Sequence, residues 1–210
     1  MNRVRVKVCG IRTLEEARTA VEAGADALGF NLWPRSPRYV SPESAREIVA
    51  AISPFVSCVG VFVNEESPDQ VRQIATESGI TALHLHGDES PDYCHEFADQ
   101  YVIKALAVGH NFDTQLIEHY HVNAIMLDTK HNTLRGGTGR AFDWSMAQEI
   151  SKTVPKLFLA GGLSPENVAG AIETVRPYAV DACSSLEDRP GKKNGERMRA
   201  FVAAVRSVKP

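Results

Sequence analysis

A thiol at Cys9 and a carboxylate at Asp128 each stand at the end of a short apolar run, RVRVKV at residues 3–8 and AIML at residues 124–127. If both runs are strands of one parallel sheet, the two groups project from the same edge into one pocket. A base and an acid so placed are the minimum equipment for moving protons without metal or cofactor. Each residue alone is ambiguous. A cysteine near a strand end also reads as a small buried hydrophobe, and a strand-end aspartate also reads as a loop cap.

Other candidates gather at the ends of similar runs. His84 and His86 alternate along one run, as ligands would, but no third ligand of suitable spacing accompanies them, and packed or hydrogen-bonded rings fit better than a metal site. Lys7 and Arg38 would lower the thiol pKa of Cys9 if they fold beside it. Arg35 and Arg38 lie in the segment WPRSPRY and read either as solvated charges or as a bidentate grip on a carboxylate. Gly161-Gly162 closes one run, and Asp181 stands in another that leads into Ser184-Ser185. Glycines admit an anion close to backbone N–H groups and serine hydroxyls add donors, so these two loops read as a phosphate site. Gly161-Gly162 reads alternatively as a tight turn. No G-x-x-x-x-G-K-[ST] is present to suggest a nucleotide loop.

Positioning these groups requires a regular frame. Ser41-Pro42, Ser67-Pro68, Ser90-Pro91 and Ser164-Pro165 each set a hydroxyl N-cap before a proline at the first helical position. Thr13 with Glu16 has capping-box spacing, Asp143 can cap a helix beginning at Trp144, and Gly24 is placed to end the first helix. Apolar stripes of helical period follow, such as Ala45, Ile48, Val49 and Ile52. Between them lie eight runs of strand length, at residues 3–8, 27–32, 56–63, 82–85, 102–108, 124–127, 156–160 and 178–182. Eight strand–helix alternations in a chain of this length point to an α/β fold, a single-domain (β/α)8 TIM barrel over residues 1–210. An open doubly wound sheet is the competitor, weakened because no G-x-G-x-x-G follows the first strand. In the barrel, chemistry belongs to the loops after the strands, where all the candidates fall.

With 43% hydrophobic and 23% charged residues the composition supports one full core. A net charge of −3, with both signs mixed along the chain, gives no nucleic-acid or membrane surface. No apolar run approaches the roughly 20 residues needed to span a bilayer, and the first residues lack the long apolar segment of a signal peptide. Cys9, Cys58, Cys94 and Cys183 are scattered without C-x-x-C, which argues against zinc and a disulfide framework and for the reducing cytoplasm.

Taken together, the segments resemble the phosphoribosylanthranilate isomerase family. They are VKVCGI at residues 6–11, GADALGF at 24–30, PRSPRYV at 34–40, VGVFVN at 59–64 and LHLHG at 83–87. LDT at 127–129, GGTGRAFDW at 136–144, LAGGLSPENV at 159–168, RPYAVD at 176–181 and PGKK at 190–193 continue the series to near the end of the chain. The resemblance implies an Amadori rearrangement of N-(5-phosphoribosyl)anthranilate to 1-(2-carboxyphenylamino)-1-deoxyribulose 5-phosphate in tryptophan biosynthesis. It implies Asp128 as the acid that protonates the ring oxygen and Cys9 as the base that removes the proton from sugar carbon 2. Arg38 is expected near the anthranilate carboxylate, and the backbone around Gly161, Gly162, Ser184 and Ser185 around the phosphate. His86 and Asp181 count with the substrate-binding positions. No metal or organic cofactor is expected. The expected partner is a phosphorylated small molecule, without nucleic acid or membrane, and the chain is expected as a monomer or homodimer. The family's D-V-x-S-G-V-E run is DACSSLE here, with Ser185 in place of glycine, which calls the geometry of that loop into question. A lyase such as indole-glycerol-phosphate synthase would bring a lysine and glutamates to the strand ends instead. A dual-substrate isomerase would bring two aspartates. A non-catalytic phosphate-binding barrel leaves the joint presence of Cys9 and Asp128 unexplained.

Overall fold

The computed structural model describes residues 3–52, 54–109, 112–129 and 144–208. Eight strands, β1 (Arg5–Cys9), β2 (Ala27–Asn31), β3 (Ser57–Phe62), β4 (Ala82–Leu85), β5 (Tyr101–Val108), β6 (Ala124–Thr129), β7 (Leu157–Ala160) and β8 (Ala179–Ala182), close in sequence order into a barrel. All neighbours in the barrel are parallel, and β1 pairs with both β2 and β8, so the barrel sheet has no free edge. Outside run the helices α1 (Leu14–Ala23), α2 (Pro42–Ala51), α3 (Pro68–Ser78), α4 (Pro91–His95), α5 (Ser145–Ser151), α6 (Val168–Val175) and α7 (Gly195–Ser207). A 3₁₀ helix at Thr114–His119 takes the helical place after β5. Helix α7 packs on α1 and α6 and completes the ring.

Strand alternation divides the core into two layers. Val6, Val8, Leu28, Phe30, Leu83 and Leu85 face the helices. Val59, Ala82, Ile103, Ala124, Met126 and Ala179 fill the barrel interior. On β1 the residues between the outward valines are Lys7 and Cys9, so a cation and a thiol share the inner face of one strand. Two clefts, one beside Ile117, Val122 and Pro155 and one beside Arg5, Tyr101 and Tyr178, open where strands begin, the face that serves stability in this architecture.

The helix signals hold at most positions. Thr13 and Glu16 form the reciprocal capping box, and Gly24 ends α1 in the left-handed region at φ 99°. Ser41, Ser67 and Ser90 each accept a backbone N–H three residues on. Ser164-Pro165 departs from expectation: the segment forms one turn, and α6 starts at Val168 behind Asn167. The cause is local competition. Asn167 Oδ1 accepts the Ser164 N–H at 2.8 Å, and its Nδ2 donates to the Gly162 carbonyl at 2.9 Å, fixing a loop before the helix begins. Asp143 lies outside the described residues, as does the segment from Arg135 to Arg140. Helix α5 begins after Trp144 with no side-chain cap bond. An antiparallel hairpin of β9 (Glu187–Arg189) and β10 (Lys192–Lys193) follows β8, and no apolar periodicity announces it.

Candidate active site

Cys9 is the last residue of β1, 8% exposed, with Gly29 of β2 as its register partner. A Cβ at Gly29 would lie 2.7 Å from the Cys9 sulfur, so the thiol occupies the space that a side chain on β2 would fill. Asp128 of β6 stands across the barrel mouth from β1, paired in register with Ala107 and Ala160, which crowd it from neither side.

Two imidazoles bridge the distance. His86 shares a 3.0 Å hydrogen bond between its Nε2 and Asp128 Oδ2, and His86 Nδ1 lies 3.0 Å from His84 Nε2. His84 Nδ1 lies 3.4 Å from Lys7 Nζ, and Lys7 Nζ donates to Asp181 Oδ1 at 2.7 Å. The row therefore runs Lys7–His84–His86–Asp128, with Cys9 two residues beyond Lys7 on the same inner face.

Its electrostatics follow from burial and neighbours. The Cys9 thiol is held well below its ordinary pKa by hydrogen bonding with Cys183, against desolvation, with further help from Lys7 and His84. Burial, together with the Lys7 ammonium, drives His84 down to about 3 and keeps it neutral. Burial would also lower His86, but its bond to Asp128 raises it; the same bond overcomes burial at Asp128 and lowers that carboxyl. Asp181 is pushed up to about 6 by burial, although Lys7 opposes the shift. Burial opposes the Lys7 charge too, yet the Asp181 carboxylate and the Cys9 sulfur raise its pKa, so the ammonium persists. Lys7 thus lies close enough to Cys9 to help lower the thiol, the arrangement left open by the sequence. Asp181, counted among the substrate-binding positions, spends Oδ1 on that ammonium beneath the thiol.

Arg38 comes to the same mouth but is already engaged. Its Nε and Nη2 donate to the two oxygens of Glu187, each at 2.8 Å, and Lys193 Nζ donates to Glu187 Oε1 at 2.9 Å. Among the described residues Nη1 has no hydrogen-bond partner, so that side of the guanidinium is a donor edge. Arg35 is exposed. Gly161 and Gly162 adopt φ of 84° and 68°, values that side chains disfavour, so this pair carries a backbone turn that needs glycine. The Ser185 hydroxyl donates to the Leu163 carbonyl, tying the loop after β8 to the loop after β7. Ser185 sits in a short 3₁₀ turn at Ser184–Leu186 and not at positive φ, so serine replaces glycine there without strain. Its hydroxyl is spent on structure, which leaves the Ser184 hydroxyl and backbone N–H groups as the donors of that loop. Among the described residues no group of three or more His, Cys, Asp or Glu side chains could hold a metal ion. The four cysteines are free.

Sequence reasoning passed over Glu187, Lys193 and Cys183 and assigned His84 no task. The segment PGKK carried the one available signal, since Lys193 belongs to it. Glu187, Lys193 and Cys183 meet Arg38 only after the hairpin folds back over β1.

A closed eight-stranded parallel barrel with a thiol and a carboxylate at the carboxyl ends of β1 and β6 places this chain among the (β/α)8 barrels. The family model described as N-(5'-phosphoribosyl)anthranilate (PRA) isomerase matches residues 6–204. The chain is 47% identical over 199 residues to the N-(5'-phosphoribosyl)anthranilate isomerase of Geobacter sulfurreducens, covering 95% of this chain and 97% of that one. The crystal structure of phosphoribosyl anthranilate isomerase from Thermotoga maritima superposes with a TM-score of 0.90 at 45% identity, covering 97% of this chain and 98% of that one. A second crystal structure of such an enzyme, in complex with reduced 1-(o-carboxyphenylamino)-1-deoxyribulose 5-phosphate, superposes with a TM-score of 0.87 at 43% identity, over 97% and 98% of the chains. This chain belongs to the phosphoribosylanthranilate isomerase family.

Proposed function

We propose that this protein isomerises N-(5-phosphoribosyl)anthranilate to 1-(2-carboxyphenylamino)-1-deoxyribulose 5-phosphate in tryptophan biosynthesis, with Cys9 as general base and Asp128 as general acid. The observation that carries the assignment of roles is the pairing of a thiol held below its ordinary pKa with a carboxyl bonded to an imidazole across one barrel mouth. Protonation of the furanose oxygen from Asp128 lets the ring C–O bond break and a cationic imine form. The cation acidifies the neighbouring C–H, so the Cys9 thiolate suffices to take the proton from sugar carbon 2. The enolamine then tautomerises to the ketose. The Nη1 edge of Arg38 is the grip for the anthranilate carboxylate, and the turns at Gly161-Gly162 and Ser184-Ser185 hold the phosphate through backbone N–H groups. Family membership and a solved relative holding a phosphorylated ligand support this reading. No described helix is long and apolar enough to cross a membrane. We place the enzyme in the cytoplasm, acting on a small phosphorylated substrate as a monomer or homodimer.

An anthranilate-fluorescence assay with substrate generated in situ tests the roles. Cys9→Ser and Asp128→Asn should each lower kcat on the order of 10²-fold or more while the far-ultraviolet circular dichroism stays unchanged. A folded Cys9→Ser enzyme with near-normal turnover would overturn the assignment.

A further inference from the structure

Lys7 and Asp181 are register partners on β1 and β8, and their side chains meet inside the barrel, Nζ to Oδ1 at 2.7 Å. The ladder ends one pair further on, at Val8 and Ala182, both of which face the helices. Side chains alternate along a strand, so the pair after that, Cys9 and Cys183, returns to the inner face at the barrel mouth. Parallel neighbours lie about 4.8 Å apart, and a disulfide needs Cα atoms about 4.4–6.8 Å apart. A Cβ on Gly10, the residue after Cys9, would lie 3.0 Å from Cys183 Sγ, so the second sulfur rests on the turn that carries the first. Both cysteines are free thiols. They differ in character, as an attacking and a resolving thiol must. Cys9 is held low and is the readier thiolate, whereas its proximity and burial push Cys183 up, so that Cys183 keeps its proton. Lys193 Nζ lies 3.6 Å from Cys183 Sγ, a cation placed for the moment that sulfur gives its proton up. Cys58 and Cys94 are buried elsewhere, each pushed up to about 11 by burial, which leaves them poor nucleophiles.

We propose that Cys9 and Cys183 are a peroxide-responsive dithiol, joined by hydrogen peroxide into a disulfide that switches the site off and reopened by a small dithiol. The Cys9 thiolate attacks one peroxide oxygen, the O–O bond breaks, and hydroxide leaves, giving a sulfenic acid at Cys9. The Cys183 sulfur then attacks the Cys9 sulfur, the S–O bond breaks, and the departing hydroxide takes the Cys183 proton as water. The two sulfurs are oxidised by two electrons together, and one peroxide is reduced to hydroxide and water. A dithiol reverses the step by exchange, leaving as its own cyclic disulfide. In the reducing compartment where we place the enzyme, a bond of this kind is transient and serves as a sensor. Its formation does not depend on what Cys9 does in turnover; its effect on turnover rests on the reading of Cys9 as the base.

Hydrogen peroxide added to the whole protein tests the pair, read by peptide mass mapping without reduction and by the anthranilate-fluorescence assay. The expected product is a cross-linked peptide joining Cys9 to Cys183, with Cys58 and Cys94 still thiols. Turnover should fall about 10²-fold or more, and dithiothreitol should restore it. Cys183→Ser has no resolving thiol, so under the same exposure its Cys9 should pass on to the sulfinic acid, and the loss, referred to its own untreated rate, should persist after dithiothreitol. Cys9 found as a sulfinic acid beside a free Cys183 thiol in the parent protein would overturn the proposal. So would two unchanged thiols after an exposure that oxidises free cysteine. Equal recovery of parent and variant would overturn it too, because Cys183 would then resolve nothing. A cross-linked peptide with unchanged turnover would instead uphold the dithiol and overturn the reading of Cys9 as the base.

Discussion

Gly29→Ala is the smallest change that displaces the proposed base, Cys9, without replacing it. The added methyl would stand 2.7 Å from the Cys9 sulfur, 3.2 Å from its Cβ and 3.1 Å from its Cα. Ordinary van der Waals separation is roughly 3.5–4.0 Å, so the sulfur must retreat by about 1 Å. The main chain of Cys9 is locked in the β1–β2 ladder and has no such freedom. Overpacking of this kind costs about 1–3 kcal/mol, and a misplacement of about 1 Å at a reacting group costs about 10²-fold in rate. We therefore expect Gly29→Ala to lose about 1–3 kcal/mol in urea unfolding and on the order of 10²-fold in kcat/KM. A double-mutant cycle separates the two effects. In a Cys9→Ala background the sulfur is gone, so Gly29→Ala should change the residual rate by less than about twofold while still destabilising through its clash with the main chain. A Gly29→Ala enzyme with parental kcat/KM, or one whose kinetic loss persists in full without the sulfur, would refute the claim that Gly29 makes room for the base.

Two further predictions concern charge. Asp181→Ala strips the buried Lys7 ammonium of its carboxylate and should cost about 3–5 kcal/mol in urea unfolding; Lys7→Met should cost less, because Asp181, already titrating near 6, can take up a proton and become neutral. Equal losses would show that the ammonium is not the charge that needs compensation. In the pH profile of kcat/KM, the proposed roles require the Cys9 thiolate and a proton on the His86–Asp128 pair. Activity should rise with pH through a thiol pKa well below the ordinary value, then fall as pH passes the raised pKa of His86. A rising limb at the ordinary thiol pKa of about 8.5 would contradict the electrostatics of the site.

The barrel was legible because its signals are local. A serine before a proline, or a threonine three residues before a glutamate, acts within one helical turn, and Thr13, Ser41, Ser67 and Ser90 behave as that chemistry dictates. Ser164 carries the same dipeptide and its hydroxyl accepts the Glu166 N–H, but Asn167 ties Ser164 and Gly162 into a loop and the regular helix starts only at Val168. Cys9 and Asp128 were legible because a parallel barrel sends all strand ends to one face, and the ordered motifs from VKVCGI to PGKK spoke for the family. Whether the two residues are coupled was not legible. That depends on His84 facing inward between Lys7 and His86, and period-two alternation gives its face but not its neighbours. The hairpin was hidden for another reason. Its strands are too short for periodicity, and its stabilising partner, Glu16 of α1, binds the Lys193 N–H from the far end of the chain.

If Arg38 grips a carboxylate as proposed, the hairpin explains how the arginine is poised before one arrives. A free guanidinium on a flexible stem would lose rotamer entropy on meeting a ligand, roughly 0.5–1.5 kcal/mol for an immobilised side chain. Here Glu187 fixes Arg38 through Nε and Nη2, so that cost is met during folding. Glu187 would also neutralise the arginine, were Lys193 not bound to the same carboxylate. Two cations against one anion leave the cluster positive, with the Nη1 edge open at the mouth. The same Lys193 ammonium donates to the Cys183 carbonyl at 3.0 Å, beside the cysteine that holds the Cys9 thiol low. One hairpin therefore orients the proposed carboxylate grip, Arg38, and braces the surroundings of the proposed base, Cys9.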